Sequence, residues 1–527
     1  MGSAQAMVPK TSLRASLDTR AESSNYQATS TYADVQKFLG ELDLRGAPIF
    51  RGSLGRSREG RDIPFVIASR PRVTAPEEAF LLHRPVVLVV ASIHGNDVDG
   101  KEAILAVLRD LCVATDKTLL DDLVLAIVPM ANPDGCERYG PQQTNAPDQN
   151  GPARVGIREN AMGYDLDEDF VKLEAPETRA ILSFVRRWQP DVFIDLRSSD
   201  ESFHDFGITH APSLHPAAFF GGSFVRENVL PSVHKELHEK FGVETFACGH
   251  FGRAKAMPAP PTPVDLANYG WFASDYRPRQ ATNYMGLRGL VATVGCSYKH
   301  DTLERRVYCS RAFVESVLGY CSENDDEVMG NTRTVSHWLG GAVPIRAGYP
   351  SKPPPQQVVA WENLALDSGS NAEPGVPAGF QRTGTFSSAP MPIYDSYVPT
   401  LESNLAKGYL VPFEYAPRVE PLLRRHGIIH TSTVEPQTML IQQFVVGRID
   451  RAATPITGHV TIDVSGVWRA PFLYTTKFGA LVVSCLQPLG PLATVLLEPE
   501  SDDGFFTWNA FEGELKAGYL APVFRIV

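Results

Sequence analysis

Residues 86–111 read VVLVVASIHGNDVDGKEAILAVLRDL, and this stretch decides the fold. Val86 to Ser92 is a continuous, largely β-branched run, the pattern of a strand covered on both faces rather than half open to water. Polar residues follow, and from Lys101 to Leu111 apolar positions recur at helical spacing. Strand, loop and helix in that order make the unit of a sheet with helices on both sides.

The unit recurs along the chain. Tyr32 to Leu42 reads as an amphipathic helix and Ile63 to Ala68 as a strand. Downstream, strands over Leu123–Pro129 and Val192–Leu196 alternate with helices over Pro176–Trp188 and Phe224–Phe241, and a further helix runs from Arg306 to about Tyr320. A parallel or mixed α/β sheet follows. Ligands of such sheets sit beyond the carboxyl ends of the strands. Polar clusters stand at three such ends: His94 to Asp97, Asn132 to Gly135 and Arg197 to Asp200. A site is expected where they converge.

The chain has 527 residues, 43% hydrophobic and 21% charged, with a mean hydropathy of −0.13. These values exclude a disordered, collagen-like or disulfide-scaffold protein. The net charge is −11 and no Lys/Arg-rich run is present, which argues against nucleic acid or an anionic membrane as partner. Seven widely spread cysteines without a CxxC pair argue against a disulfide framework or a cysteine-based zinc site. Val86 to Ala91, the longest apolar stretch, is far shorter than the ~20 residues a bilayer needs. MGSAQAMVPKTSLRASLDTR contains no apolar signal core, so the chain reads as soluble, with its localisation open.

Four regions are expected: a polar tail over 1–30, an α/β domain over 31–330, a Pro/Gly-rich connection over 331–392 and a smaller β-rich domain over 393–527. The connection holds PSKPPPQQ, GSNAEPGVPAGF and SSAPMP, and reads as a linker or as an extended, edge-hugging segment. After it come short alternating runs such as GHVTIDVSG and GALVVSCL.

Five motifs occur in order: ASIHGNDVDGKEA, MANPDGCERYGP, RENAMGYDLDEDFVKLEAPETRA, DVFIDLRSSD and NYMGLRGLVATVGCSYKHDTLERRV. Together they resemble the zinc carboxypeptidase (carboxypeptidase A-like metallopeptidase) family over roughly Tyr32 to Tyr320. The nearest likeness is to a bacterial branch with a β-rich C-terminal domain, whose end LLEPESDDGFFTWNAF resembles. The resemblance implies a carboxypeptidase-like mixed sheet with helices on both faces. It also implies zinc ligands at His94, Asp97 and Arg197, where the family has His, Glu and His.

At these positions the chain departs from the pattern. Asp97 is one methylene shorter than Glu, and Arg197 has no lone pair for a metal. Two ligands hold zinc poorly, so no cofactor is expected. His204 or His210 is weighed as a substitute third ligand, His204 otherwise as a wall of the cavity. Arg197 is read as occupying the vacated metal position and pairing with Asp97, against a surface salt bridge. Cys296 stands where the family has its general base. It is either an apolar filler or a nucleophile, with His94 as base and Arg197 favouring the thiolate.

The family's Asn and Arg that hold a peptide carboxylate are replaced by Asp167 and Glu168. These acids repel a carboxylate and point to a cationic small molecule or peptide-like substrate, unless they form a solvated pair at a helix start. Arg158 corresponds to the arginine that polarises the scissile carbonyl, or braces the acidic loop. Asn132, Asp134 and Gly135 shape their loop, Asp195 supports a neighbour, and a hard cation on Asp97, Asp167 and Glu168 is the weakest alternative.

The leading functional expectation is a zinc-independent, repurposed enzyme acting on a carbonyl by hydrolysis, acyl transfer or cyclisation, with Cys296, His94, Arg158 and Arg197 as its machinery. A silent pseudopeptidase that binds a ligand or partner stands against it. So does a zinc carboxypeptidase with atypical ligands.

Overall fold

The computed structural model describes residues 17–114, 116–199, 202–253, 269–333, 341–352, 354–366, 376, 380–404 and 406–527. Eight strands build the main sheet: β1 (Ile49–Arg56), β2 (Asp62–Ala68), β3 (Val86–Ala91), β4 (Val124–Val128), β5 (Val192–Ser198), β6 (Ile208–Pro212), β7 (Thr245–Ala247) and β8 (Val291–Ser297). Their order is β1-β2-β4-β3-β5-β8-β6-β7. The central strands β4, β3, β5 and β8 run parallel, while β1 and β2 on one flank and β6 beside β8 bring in antiparallel pairs. All six residues of β3 are buried, as an apolar run in mid-sheet requires.

Both faces are covered. On one lie α1 (Tyr32–Leu44), α2 (Asp99–Val113), α4 (Leu230–Phe241) and α6 (Leu303–Glu323), packed on Val87, Val89, Ile194 and Leu196. On the other lie α3 (Pro176–Trp188) and α5 (Ala281–Leu287), packed on Leu88, Val90, Phe193 and Ala292. Helix α3 begins with Pro176, whose fixed φ suits a first turn, and ends at Gln189 in the left-handed conformation.

The described part of the expected tail belongs to the fold. Residues 1–16 lie beyond the described residues, but 17–30 pack on α2. Its buried Glu102 accepts hydrogen bonds from the amides of Ala21 and Ser30 and the hydroxyls of Thr29 and Ser30, and Glu22 pairs with Arg109. Ser/Thr-rich composition here supplies partners for a buried carboxylate instead of solvated chain.

The Pro/Gly-rich connection likewise carries strands, β9 (Ala342–Gly348), β10 (Gln356–Leu366) and β11 (Phe380–Tyr394). Strands β10 and β11 form a long antiparallel hairpin. Through β11 it joins a sheet with Tyr269–Ala273 and Gly249–Arg253. The edge-hugging alternative describes this segment: Pro350, Pro354 and Pro355 lie between β9 and β10, and Pro390 and Pro392 fall in β11. Much of GSNAEPGVPAGF lies outside the described residues.

Beyond it, seven strands between Gly408 and Ile526 form one antiparallel-paired sheet with two helices, the expected β-rich region. Its core is continuous with the α3/α5 face of the first domain: Phe505, Phe506 and Phe511 belong to the same buried cluster as Phe170 and Tyr284.

Candidate functional site

The loop after β3 carries His94 to Asp97, and its course depends on Gly95. A Cβ there would lie 2.4–2.5 Å from Gly135 C, Cys136 N and Ile157 O, so three loops meet at a point only glycine permits. Asn132 fixes the second loop by accepting from the Gly135 amide and donating to the Arg158 carbonyl, at 2.9 and 3.2 Å. Asp134 accepts from the Ser57 hydroxyl and the Glu59 amide at 2.7 and 2.9 Å. The NPDG turn is therefore loop architecture.

His94, 3% exposed, is held between two carboxylates. Nδ1 is 3.1 Å from Asp97 Oδ2 and Nε2 is 3.0 Å from Asp165 Oδ1. Burial works to lower its pKa, but Asp165 above all, with Asp97, outweighs burial and raises it to about 9. The ring is an imidazolium at neutral pH. Asp165 and Asp97 titrate below the usual carboxylate range, because their pairing with His94 and the charge of Arg158 overcome the burial that opposes it. Half-exposed Arg158 donates from Nε to Asp165 Oδ2 at 2.8 Å. It braces the acidic loop.

On β5, Asp195 and Arg197 project on the α3/α5 side. The Arg197 guanidinium donates to both carboxylate oxygens of Asp167 and, through Nε, to Asp195 Oδ2 at 2.7 Å. Asp167 also accepts from the Ala281 amide, at the start of α5, at 2.9 Å. Burial raises the pKa of Asp195 despite Arg197, and its Oδ1 has no hydrogen-bond partner among the described residues. The expected Arg197–Asp97 pair is thus replaced. Asp97 is taken by His94, while the Leu166–Glu168 turn sets Asp167 across the guanidinium fork, which fits a carboxylate with two parallel bonds.

The same arrangement removes the basis for a cationic ligand. Asp167 is neutralised by Arg197, and Glu168 Oε2 accepts from Arg279 Nη1 at 3.3 Å. Burial pushes Glu168 up to about 7 although Arg279 opposes it. Arg279 is itself anchored by the C-terminal region. Its amide donates to Asp503 Oδ2 at 2.6 Å, its Nε lies 3.1 Å from Asp503 Oδ1, and it stands 4.9 Å from the Trp508 ring. Trp508 Nε1 donates to Asp503 Oδ1 at 2.8 Å. Asp165, Arg279, Asp503 and Trp508 were not singled out from sequence. Asp165 stands inside the DLDED motif, where the two altered positions draw attention away from it.

Neither alternative histidine reaches His94. His210 is the register partner of Gly295 and stacks near Phe313 of α6, on the sheet face opposite Arg197. His204 is buried beside Tyr298, Phe206 and Trp271 under the β10 strand, where it bridges Trp361. Burial lowers both histidines, His204 to about 3 and His210 to about 4, so both are neutral.

Cys296 is the register partner of Arg197 on the adjacent parallel strand, as expected, but its Sγ lies 3.2 Å from Cys248 Sγ and its side chain packs against an apolar cluster with Ala211, Leu214, Ala273 and Tyr276. The His94 nitrogens are committed to Asp97 and Asp165. The expected Cys–His couple is not assembled.

Zinc would require side chains with lone pairs directed at one point. His94 has both nitrogens against carboxylates, and Arg197 has no lone pair. Among the described residues no three His, Cys, Asp or Glu side chains are grouped for a metal. Asp97 alone remains of the three ligand positions, so the residues present do not fit the ion.

Human carboxypeptidase D is 36% identical over 160 residues, which cover 29% of this chain and 11% of that protein. Carboxypeptidase 2 of Trichophyton tonsurans is 27% identical over 298 residues, 52% of this chain and 48% of its own. The chain thus spans between about a tenth and a half of the curated relatives it matches. A metallo-carboxypeptidase from Burkholderia cenocepacia overlays with a TM-score of 0.40 at 16% identity, covering 56% of this chain and 70% of that one. No helix among the described residues is long and apolar enough to cross a membrane. Residues 49–217, which hold β1 to β6 and every one of the site positions from His94 to Arg197, match the model of the zinc carboxypeptidase family.

Proposed function

We propose that this domain works without zinc, as a pseudopeptidase that binds a peptide-like ligand and does not cleave it. The observation that carries this reading is the Arg197 guanidinium bonded to Asp167 and Asp195, at the position that the family resemblance makes the third metal ligand. A fixed cation there balances the carboxylates but cannot activate water as a Lewis acid does. Hydrolysis through a Cys296 nucleophile needs a neutral imidazole, and His94 is protonated between two acids.

The binding handle is Arg158. Among the described residues it donates from Nε to Asp165, and its side chain is half exposed. Its guanidinium suits a carbonyl or carboxylate oxygen of a peptide, which such a group binds by charge-assisted hydrogen bonds. A cationic ligand has no such support, because Asp167 and Glu168 already meet arginines.

The test uses the full chain with equimolar zinc and fluorescein-labelled tripeptides ending in acidic, basic or apolar residues. Fluorescence anisotropy reads binding, and mass spectrometry of the same samples reads cleavage. The expected result is saturable binding of at least one peptide, weakened about tenfold or more in Arg158→Ala, with every peptide intact. A zinc-dependent product shortened by one residue would overturn the reading.

A further inference from the structure

Chemistry that the site does not use stands at its far wall. Cys296, at the end of β8, has its Sγ 3.2 Å from that of Cys248 in the turn between Thr245–Ala247 and Gly249–Arg253. Cys248 directly follows β7, and β6 lies between β7 and β8 in the sheet. The Cys248 amide donates to the His210 carbonyl of β6 at 2.8 Å, which holds the turn down over that strand, and Thr209 Oγ1 lies 3.3 Å from Cys248 Sγ. A disulfide requires ~2.05 Å between the sulfurs, so closure brings them together by about 1 Å.

The pair differs from the rest of the cysteines. Cys296 alone of the seven is not fully buried. Burial pushes the thiols of Cys112, Cys309, Cys321 and Cys485 up to about 12 and raises that of Cys136, which leaves those five unreactive. Cys296 is thus partly exposed, and the Cys248 sulfur lies within contact distance of its own. This is the layout of an attacking and a resolving thiol.

We propose that Cys248 and Cys296 form a reversible dithiol–disulfide site, closed by a small-molecule disulfide such as glutathione disulfide. The Cys296 thiolate attacks one sulfur of the oxidant. The oxidant's S–S bond breaks, a mixed disulfide forms on Cys296, and one glutathione thiolate leaves and takes up a proton. The Cys248 thiolate then attacks Cys296 Sγ, the mixed disulfide breaks, and a second glutathione thiolate leaves and is protonated. Two thiols are oxidised to one intrachain disulfide and one glutathione disulfide is reduced to two glutathiones. The crosslink spans β6 and fixes the wall of the sheet beside Arg197, whose register partner is Cys296. It stands apart from the binding reading and does not depend on it.

The test incubates the native full chain with glutathione disulfide and maps the cysteines by mass spectrometry of peptides under non-reducing conditions. The expected result is a Cys248–Cys296 crosslinked peptide, lost on adding dithiothreitol, with the other five cysteines unmodified until the chain is denatured. Cys248→Ser is expected to stop at a stable glutathione adduct on Cys296, and Cys296→Ser to leave native Cys248 unmodified. A persistent glutathione adduct on Cys296 of the unsubstituted chain, or a native Cys296 that stays reduced while the unfolded chain reacts, would overturn the proposal.

Discussion

Arg197 and Asp167 form a two-pronged, buried ion pair across the end of β5, with Asp195 bound to the same guanidinium from below. This joins two departures from the family pattern that are separate in sequence. The arginine that the resemblance sets at a metal-ligand position and the acid that it sets at a carboxylate-binding position are partners, and each balances the charge of the other.

Replacing Arg197 by Ala should therefore be among the most damaging changes in the domain. It strands Asp167 and Asp195, both buried, without a counter-ion, and breaking a buried pair by removing one partner typically costs about 3–5 kcal/mol. Arg197→Ala with Asp167→Asn should recover part of that loss. Denaturant unfolding of both variants checks this, and a loss below about 1 kcal/mol for the single variant would place the pair in solvent.

His94 sets a pH dependence on the alkaline side. Its pKa is raised in the folded chain to about 9 from an ordinary 6.5. Its stabilisation is therefore complete below about 6.5 and is lost as pH rises through about 9, amounting to about 3 kcal/mol in all. Stability measured from pH 6 to 10 should fall more steeply in the unsubstituted chain than in His94→Gln. Parallel curves would show that Asp97 and Asp165 do not hold an imidazolium.

Glu168 acts in a lower window with the same sign. Burial raises its folded pKa to about 7 from 4.5, so the protonated carboxyl suits its surroundings and the charged one does not. The contribution is complete below about 4.5 and is lost as pH rises through about 7. Glu168→Gln should flatten the stability profile between pH 4.5 and 7 and leave the alkaline limb, which belongs to His94, unchanged.

Trp508 ties the C-terminal region to the site. It is 5% exposed, binds Asp503 and lies against both Arg279 and the Lys172 ammonium, 3.7 Å from its ring centroid. Trp508→Ala should cost about 3–5 kcal/mol, as removal of a large buried aromatic does, and should change the Glu168 window by loosening Arg279. Calorimetry and a pH series on the variant check both effects, and an unchanged Glu168 window would separate the C-terminal region from the site.

The central architecture was legible because one signal dominates it. VVLVV is apolar on both faces, and such a run is stable only in mid-sheet. The loops that follow β3 and β5 then mark the site, and His94, Asp97 and Arg197 are indeed at strand ends there. Side-chain pairing was not legible: Asp97 and Asp167 are both acids near Arg197, and only the fold decides which one meets the guanidinium fork. Asp165 illustrates the same limit, since its role rests on a ring nitrogen 71 positions away in sequence. The β10–β11 hairpin was hidden for another reason. Proline and glycine read as breakers, yet this hairpin pairs Gln356 with Pro392 and Val358 with Pro390.

The account rests on Arg197 standing where the family holds an ion, and metal content tests it most directly. The full chain, expressed with added zinc and purified without chelator, is analysed for zinc by inductively coupled plasma mass spectrometry beside His94→Ala. The account gives far less than one zinc per chain and no difference between the two proteins. One zinc per chain that disappears in His94→Ala would contradict it.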